Sequence, residues 1–358
     1  MKKKILFAEP IEHYQSLGLI DDLDAYECVF YGIRFYKKDD SFLKSFSAFV
    51  TSYYTSSISM WMAMRCRSLG IKTIFVTDGV YDLANSFKNH LIKKYQTYLY
   101  EFLPHEYVMA VGDIPMKDSC SQYEKYLPKR MVSRAKMPLP KATKVLITTS
   151  NSPYFNEREK TRLIALMIDV AKYLAEKKID TIYRIYDGAV LSALEHGLGS
   201  GFNNSIGRGF EDVLEEISHV ITTPSSVSIT SMFHGRCVAQ LIYRSEPPGV
   251  QTAWNISSID IFDEVVDSFF EPDVGLLRFQ ESICKTYFDG NKTLKNIIEQ
   301  EDGDVVRLAD KAEWFKRTLE QRMLTSHFNL NFEYLARRIY LSLRSTKFMK
   351  LLRQVVKS

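Results

Sequence analysis

The most informative stretch of the chain runs from His219 to Tyr243. A short apolar strand, Val220-Ile221, delivers the backbone to Thr222-Thr223-Pro224-Ser225-Ser226, and helical spacing follows from Val227 to His234. Hydroxyls and unpaired backbone N–H groups therefore gather where a strand hands over to a helix, with Ser228 in the first helical turn. A helix start leaves donors without partners and carries a positive partial charge, which suits it to a phosphate or diphosphate. Taken alone, a Ser-Ser pair in this position is an ordinary helix cap.

Other polar groups follow strands in the same way. Lys144 to Thr148 reads as a strand that opens into Thr149, Ser150 and Asn151, residues that face a ligand or simply form a turn. Arg184 and Asp187 flank the end of the strand Thr181 to Tyr186, placed to reach a phosphate and a ribose or to sit as strand-end charges. Asp78, in Asp78-Gly79 after the run Ile71 to Val76, is the first choice of general base, taking a proton from an acceptor hydroxyl; Asp-Gly is also a common turn. Glu9 and His13, after the first strand, are rival bases, and His105 carries the same ambiguity. No clustered Asp, Glu and His demand a metal, so metal-independent catalysis is expected, with no cofactor.

Elements must hold these groups in place. Apolar runs at Lys4 to Ala8, Phe46 to Tyr53, Ile71 to Val76 and Val108 to Val111 alternate with helical spacing such as Ser59 to Ser68, the pattern of a parallel sheet covered by helices. A proline-punctuated stretch, Pro115 to Pro140, marks the linker, after which the alternation restarts. Glu157 to Lys177 reads as a helix with Leu163, Leu166, Met167, Val170 and Leu174 on one face. Phe210 to Ile217 and Val227 to His234 read as helices, Cys237 to Tyr243 as a strand, and the residues after Ser257 as helices packed on the sheets. This gives an expected division into 1–140, 141–260 and 261–358.

The order strand, Thr-Pro-Ser-Ser loop, helix, and the turn His234-Gly235-Arg236-Cys237-Val238 resembles the donor-binding end of GT-B glycosyltransferases, with Arg and Cys where Lys and Pro are usual in that turn. The resemblance is closest to transferases of capsule, lipopolysaccharide or teichoic-acid assembly, including polysialyltransferase-like and glycerophosphate-transferring enzymes, and Asp78-Gly79 resembles the acidic-Gly element of some of them. It implies a GT-B-like α/β fold, two Rossmann-like domains facing across a cleft with C-terminal helices, in which 1–140 holds the acceptor and 141–260 the donor. The implied reaction moves a sugar or sugar phosphate from a nucleotide- or pyrophosphate-activated donor, such as a sugar nucleotide or phosphoribosyl pyrophosphate, to a growing surface polysaccharide or glycolipid. Sugar-nucleotide 2-epimerases share this architecture and are the alternative chemistry; a non-catalytic sugar-binding assembly subunit is the alternative class.

Composition bounds the setting. With 358 residues and a formal net charge of +4, the chain is long enough for two domains and too weakly basic to argue for nucleic acid as a partner. Cys28, Cys66, Cys120, Cys237 and Cys284 show no paired spacing, which fits a reducing, cytoplasmic setting. No run approaches the ~20 apolar residues of a membrane span. After Glu333 there is no acid, while Arg337, Arg338, Arg344, Lys347, Lys350, Arg353 and Lys357 accumulate. Drawn as a helix, Leu341, Phe348, Leu352 and Val355 oppose the later cations, an amphipathic basic segment suited to the inner face of an anionic membrane or to a solvated surface.

Overall fold

A computed structural model describes residues 2–89, 99–100, 103–114, 121–199, 202, 204–300, 334–336 and 338–339. The chain forms two compact units: Met1–Gly79 with Asn89–Arg130 and Gly290–Ser358, and Val80–Lys88 with Met131–Asp289.

The first unit opens with β1 (Lys4–Phe7), α1 (Ile11–Leu17), β2 (Glu27–Val29), a 3-10 turn at Gly32–Phe35, α2 (Asp40–Leu43), β3 (Ala48–Thr51) and α3 (Ser57–Ser68). β4 (Lys72–Val80) leads to α4 (Leu83–Lys88), which packs with the second unit, and β5 (Tyr107–Val111) and β6 (Gln122–Lys125) complete a sheet of order β2-β1-β3-β4-β5-β6. β1, β2, β3 and β4 pair in parallel, as do β5 and β6. Ile5, Leu6 and Phe7 in β1 and all of β3 are buried, as expected of strands covered on both faces. α1 stops at Gly18, whose left-handed conformation (φ 72°) closes the helix with N–H bonds back to its last turn.

The second unit runs β7 (Lys144–Thr148), α5 (Glu157–Glu176), β8 (Asp180–Arg184), α6 (Gly188–Leu198), α7 (Phe210–Leu214), β9 (His219–Thr222), α8 (Val227–Phe233), β10 (Cys237–Leu241), β11 (Trp254–Ile256), α9 (Ile259–Phe270) and α10 (Val274–Phe288). Its sheet has the order β11-β10-β9-β7-β8, and every neighbouring pair is parallel. The stripe Leu163, Leu166, Met167, Val170 and Leu174 of α5 is buried in the main core with Val145, Ile147, Ile221 and Phe262. Asn156 caps α5 by accepting the Glu159 N–H at 3.0 Å. α11 (Leu294–Glu299) returns to the first unit, where the Lys72 ammonium donates to the carbonyls of Ile297 and Gln300 near its end.

Some elements differ from the sequence expectation. β4 continues through Asp78-Gly79 to Val80, so the Asp-Gly pair lies in a strand and does not end it. β2, β6 and β11 are additional; β2 and β6 are outermost strands with no fully buried residue, so they lack an apolar signature. α6 is also additional, and it begins where Asp187-Gly188 suggested only a strand end. Of the basic C-terminal segment, Tyr334–Ala336 and Arg338–Ile339 are helical, and residues 341 to 358 lie outside the described residues.

Candidate functional site

In the second unit β7 has β8 on one side and β9 on the other, so its carboxyl end is the topological switch point, the usual ligand position in such sheets. Thr148 is level with both Arg184 and Thr222, which brings the three following loops to one height. They are stitched together: Thr149 N–H donates to Arg184 O at 3.3 Å, and Tyr186 N–H to Thr149 Oγ1 at 3.1 Å. Ser150 N–H donates to Thr223 Oγ1 at 2.8 Å, and Thr223 N–H to Thr148 O at 3.3 Å. Thr149, Ser150, Arg184 and Thr223, which the sequence marked separately, therefore share one rim.

Arg184 is the cation of this rim, and only 6% of it is exposed. Its guanidinium lies over the rings of Tyr186 (5.1 Å) and Phe210 (5.8 Å), donates to Arg208 O at 2.9 Å and bonds the Tyr186 hydroxyl. No carboxylate among the described residues forms an ion pair with it, and its Nε and the Ser150 hydroxyl are buried without hydrogen-bond partners. A buried cation without a counter-charge is costly unless an anion arrives. Asp187 does not supply that charge: its Oδ1 accepts from Ala189 N–H and Val190 N–H at 3.1 Å each, capping α6, and from the Tyr154 hydroxyl at 3.1 Å. Burial, then the neighbouring Asp187, pushes the Tyr154 phenol up to about 12, so it stays a donor.

The loop after β9 is less uniform than its sequence. Ser225 Oγ accepts the Val227 N–H at 3.3 Å, while Ser226, at the cap position, makes no side-chain cap bond. Pro224, Ser225 and Ser226 are half-buried and Asn151 is exposed at the loop after β7. Ser228 is fully buried and accepts from Gln240 Nε2 at 3.2 Å, so its hydroxyl ties α8 to β10.

The first unit repeats the geometry with different chemistry. β1 lies between β2 and β3, and Glu9 spans the divergence. Its carboxylate accepts from Thr51 Oγ1 (2.9 Å), Ser52 N–H (3.2 Å), Tyr53 N–H (3.2 Å) and the Tyr14 hydroxyl. Burial pushes the Glu9 carboxyl up, opposed by those bonds, and burial beside Glu9 pushes the Tyr14 phenol well above its usual range. His13 is half-buried, its ring edge-on to Tyr14 and Tyr53 at 5.3 Å each. Glu9 and His13 are thus together, whereas Asp78 belongs to β4, on the far side of β3. Asp78 is exposed and paired with Arg130, which bonds both its carboxylate and its backbone carbonyl. His105 is fully buried, and its ring packs 5.3 Å from Phe75 in the interior of the unit.

Two supporting groups escaped the sequence reading. Arg236 is fully buried and donates to the carbonyls of Leu214, Ile217, Met137, Pro138 and His234, fixing the turn after α8. His234 accepts the Met137 N–H at Nδ1 (3.2 Å) and faces Glu211 through Nε2 (3.1 Å), and burial lowers its pKa, so the neutral ring donates to Glu211. Their signal was present only as an unusual His-Gly-Arg turn. Among the described residues no group of three His, Cys, Asp or Glu is placed to hold a metal ion, and no helix is long and apolar enough to cross a membrane.

No protein-family model matches the chain, and no curated protein matches it. Solved structures do. A protein from Listeria monocytogenes, provisionally assigned as a UDP-N-acetylglucosamine 2-epimerase, is similar with a TM-score of 0.52 at 9% identity, covering 83% of this chain and 94% of that one. The S. aureus MnaA complex with UDP gives 0.51 at 10% identity, covering 89% and 98%. The wall teichoic acid polymerase TagF soaked with CDPG gives 0.50 at 11% identity, covering 90% of each chain. The chain therefore has the GT-B fold, two parallel-sheet α/β units with helices, that glycosyltransferases and these epimerases share.

Proposed function

We propose that the protein is a glycosyltransferase that moves a sugar or sugar phosphate from a phosphate-activated donor to a surface polysaccharide or glycolipid acceptor. The observation that carries this reading is the rim of Thr149, Ser150, Thr223 and Arg184, which joins hydroxyls to a buried cation lacking a counter-charge. Thr149 Oγ1 and Thr223 Oγ1 accept backbone N–H bonds but keep their own hydroxyl protons to donate, and with the unpartnered Ser150 hydroxyl and the Arg184 cation they meet the requirement for a donor phosphate and for the charge that grows on it as it leaves. Pro224, Ser225 and Ser226 extend the same rim, and Asn151 borders it.

The acceptor hydroxyl oxygen attacks the anomeric carbon, or phosphorus where a sugar phosphate is moved, as the bond to the departing phosphate oxygen breaks. That oxygen leaves with the bonding pair, and a general base takes the hydroxyl proton. Asp78 is the first candidate, oriented by Arg130, and His13 the second. Glu9 is better suited to positioning, because each of its oxygens already accepts two bonds. No step requires a metal. The UDP ligand of MnaA and the CDPG soak of TagF support a nucleotide-linked donor, and TagF, a wall teichoic acid polymerase, supports a surface-glycan acceptor; the basic C-terminal sequence supports an acceptor met at the inner face of a membrane. The likeness to 2-epimerases keeps epimerisation as a second reading.

A thermal-shift screen against CMP, CDP, UDP, GDP, their sugar conjugates and phosphoribosyl pyrophosphate, with and without magnesium, tests it. One donor class should raise the melting temperature, by up to the equivalent of about 2.7 kcal/mol at a hundred times Kd. Ser226→Trp should abolish that shift, and Asp78→Asn should keep it while slowing transfer by roughly 100- to 10,000-fold. Conversion of the donor to an epimer without any acceptor would replace transfer by epimerisation, and no shift with any donor would favour a non-catalytic assembly subunit.

A further inference from the structure

The turn Gly32–Phe35 and the residues after it carry Arg34, Lys37 and Lys38, all exposed. Each cation lies over an aromatic ring: Arg34 over Phe35 at 4.6 Å, Lys37 over Tyr36 at 5.5 Å and Lys38 over Phe42 at 5.8 Å. Phe35 and Phe42 are half-buried and touch at 4.9 Å, so the cations stand on an aromatic shelf. The nearby acids are engaged elsewhere: Asp39 caps α2 through the Phe42 N–H, and Asp40 pairs with Arg65 at 2.6 Å. None of the three cations forms an ion pair among the described residues.

The far end of the chain meets this shelf. Tyr334 packs 5.8 Å from Tyr36 and begins the helical residues Tyr334–Ala336 and Arg338–Ile339. Leu335, Arg338 and Ile339 stand at i, i+3 and i+4, on one helical face. Leu335 is 50% and Ile339 49% exposed. Two half-exposed aliphatic side chains, an arginine and a shelf of rings crowned by cations meet the requirements of a bilayer surface. The cations reach lipid phosphates while their stems, the rings and the aliphatics settle at the acyl boundary.

We propose that this face, built from Arg34, Lys37 and Lys38 together with Leu335, Arg338 and Ile339, docks the protein on an anionic membrane surface. It extends the membrane part of the reading above, which drew only on the basic C-terminal sequence, and is independent of the chemistry assigned to the second unit. A soluble polyanion would engage the cations and leave the two aliphatics in water, so their exposure favours the membrane.

Full-length protein is sedimented with vesicles of phosphatidylcholine alone or mixed with phosphatidylglycerol. Binding should appear with phosphatidylglycerol and weaken as salt rises. Neutralising three cations in Arg34→Gln/Lys37→Gln/Lys38→Gln should lower partitioning roughly 100-fold, at about 1 kcal/mol per cation. Lys37→Arg/Lys38→Arg should bind as wild type, and Leu335→Ser/Ile339→Ser should bind more weakly. If the triple variant matches wild type on these vesicles, this face is wrong while membrane binding stands. If wild type ignores the vesicles, both fall, and the donor shift still reports separately on transfer. Capture of a soluble anionic polysaccharide that needs the three cations but not Leu335 and Ile339 would make the face a glycan site and overturn the membrane assignment.

Discussion

Acid should unfold the second unit in part through a single histidine. His219 begins β9, is 6% exposed, and is enclosed by the rings of Phe269 and Phe270 at 4.9 Å each, with Ser218 Oγ 2.7 Å from its Nδ1. Burial lowers its pKa from the ordinary 6.5 to about 4, so the folded protein holds it neutral. The unfolded chain takes up the proton first. Its contribution to stability is present above pH 6.5 and is lost as the pH falls through about 4. The whole shift corresponds to about 3 kcal/mol, and about 2 kcal/mol of it should disappear between pH 7 and pH 5. Urea titrations of wild type and His219→Asn at both pH values provide the test, because other titrating groups cancel in the difference. The variant is expected to be less stable at pH 7, through lost packing and the lost Ser218 contact, yet to lose about 2 kcal/mol less on acidification. Parallel losses in the two proteins would refute the argument and mean that His219 is charged, or solvated, in the fold.

Two further substitutions test the supports of the rims. Arg236→Met should destabilise the second unit by about 3 kcal/mol or more, since the carbonyls of Leu214, Ile217, Met137, Pro138 and His234 lose their buried donor; denaturant unfolding reads this directly. Glu9→Gln should cost about 1–3 kcal/mol at pH 7, because its amide nitrogen must face donors that the carboxylate accepts. Burial raises the folded pKa of Glu9, so its wild-type contribution is fully present below the usual carboxylate pKa and declines as pH rises through the folded value. The variant should lack that decline, and a variant more stable than wild type at pH 7 would show that desolvation of the charge outweighs the four bonds.

The sequence was legible where burial imposes a continuous apolar run or a helical stripe. Lys144–Thr148 and the Leu163-to-Leu174 face of α5 are such cases, because they are covered by other elements and must be written in apolar residues. Gln122–Lys125 could not be recognised: it is an outermost strand, none of its residues is fully buried, and its pairing with β5 is a property of the sheet alone. α6 had a signal, Asp187 before the stripe Val190, Leu191, Leu194, that the turn-like Asp-Gly concealed. In the candidate rims the residue types were legible but their commitments were not. Nothing local tells that Ser228 turns to Gln240, that Asp187 caps its own helix, or that Glu9 is held by Thr51 across forty-two positions of chain. An arginine at a strand end ordinarily lies at the surface, and only the packing of Tyr186 and Phe210 makes Arg184 a buried one.

The two units use one topology for different chemistry, and that contrast supports the proposed division of work between them. In each, the first strand lies between the second on one side and the third on the other, so each sheet opens where the loops of its first and third strands part. In the second unit that opening is edged by N–H groups, hydroxyls and a guanidinium, groups that stabilise negative charge and cannot remove a proton at neutral pH. In the first unit the corresponding edge carries Glu9 and His13, with Asp78 two strands along, groups that can accept protons, and the Glu9 carboxylate would repel a phosphate. The proposed transfer, from a phosphate-bearing donor to a hydroxyl acceptor, draws on both sets. Were the donor held on the first unit instead, the buried Glu9 carboxylate would face its phosphate and Arg184 would keep no counter-charge, two costs that the proposed donor site avoids.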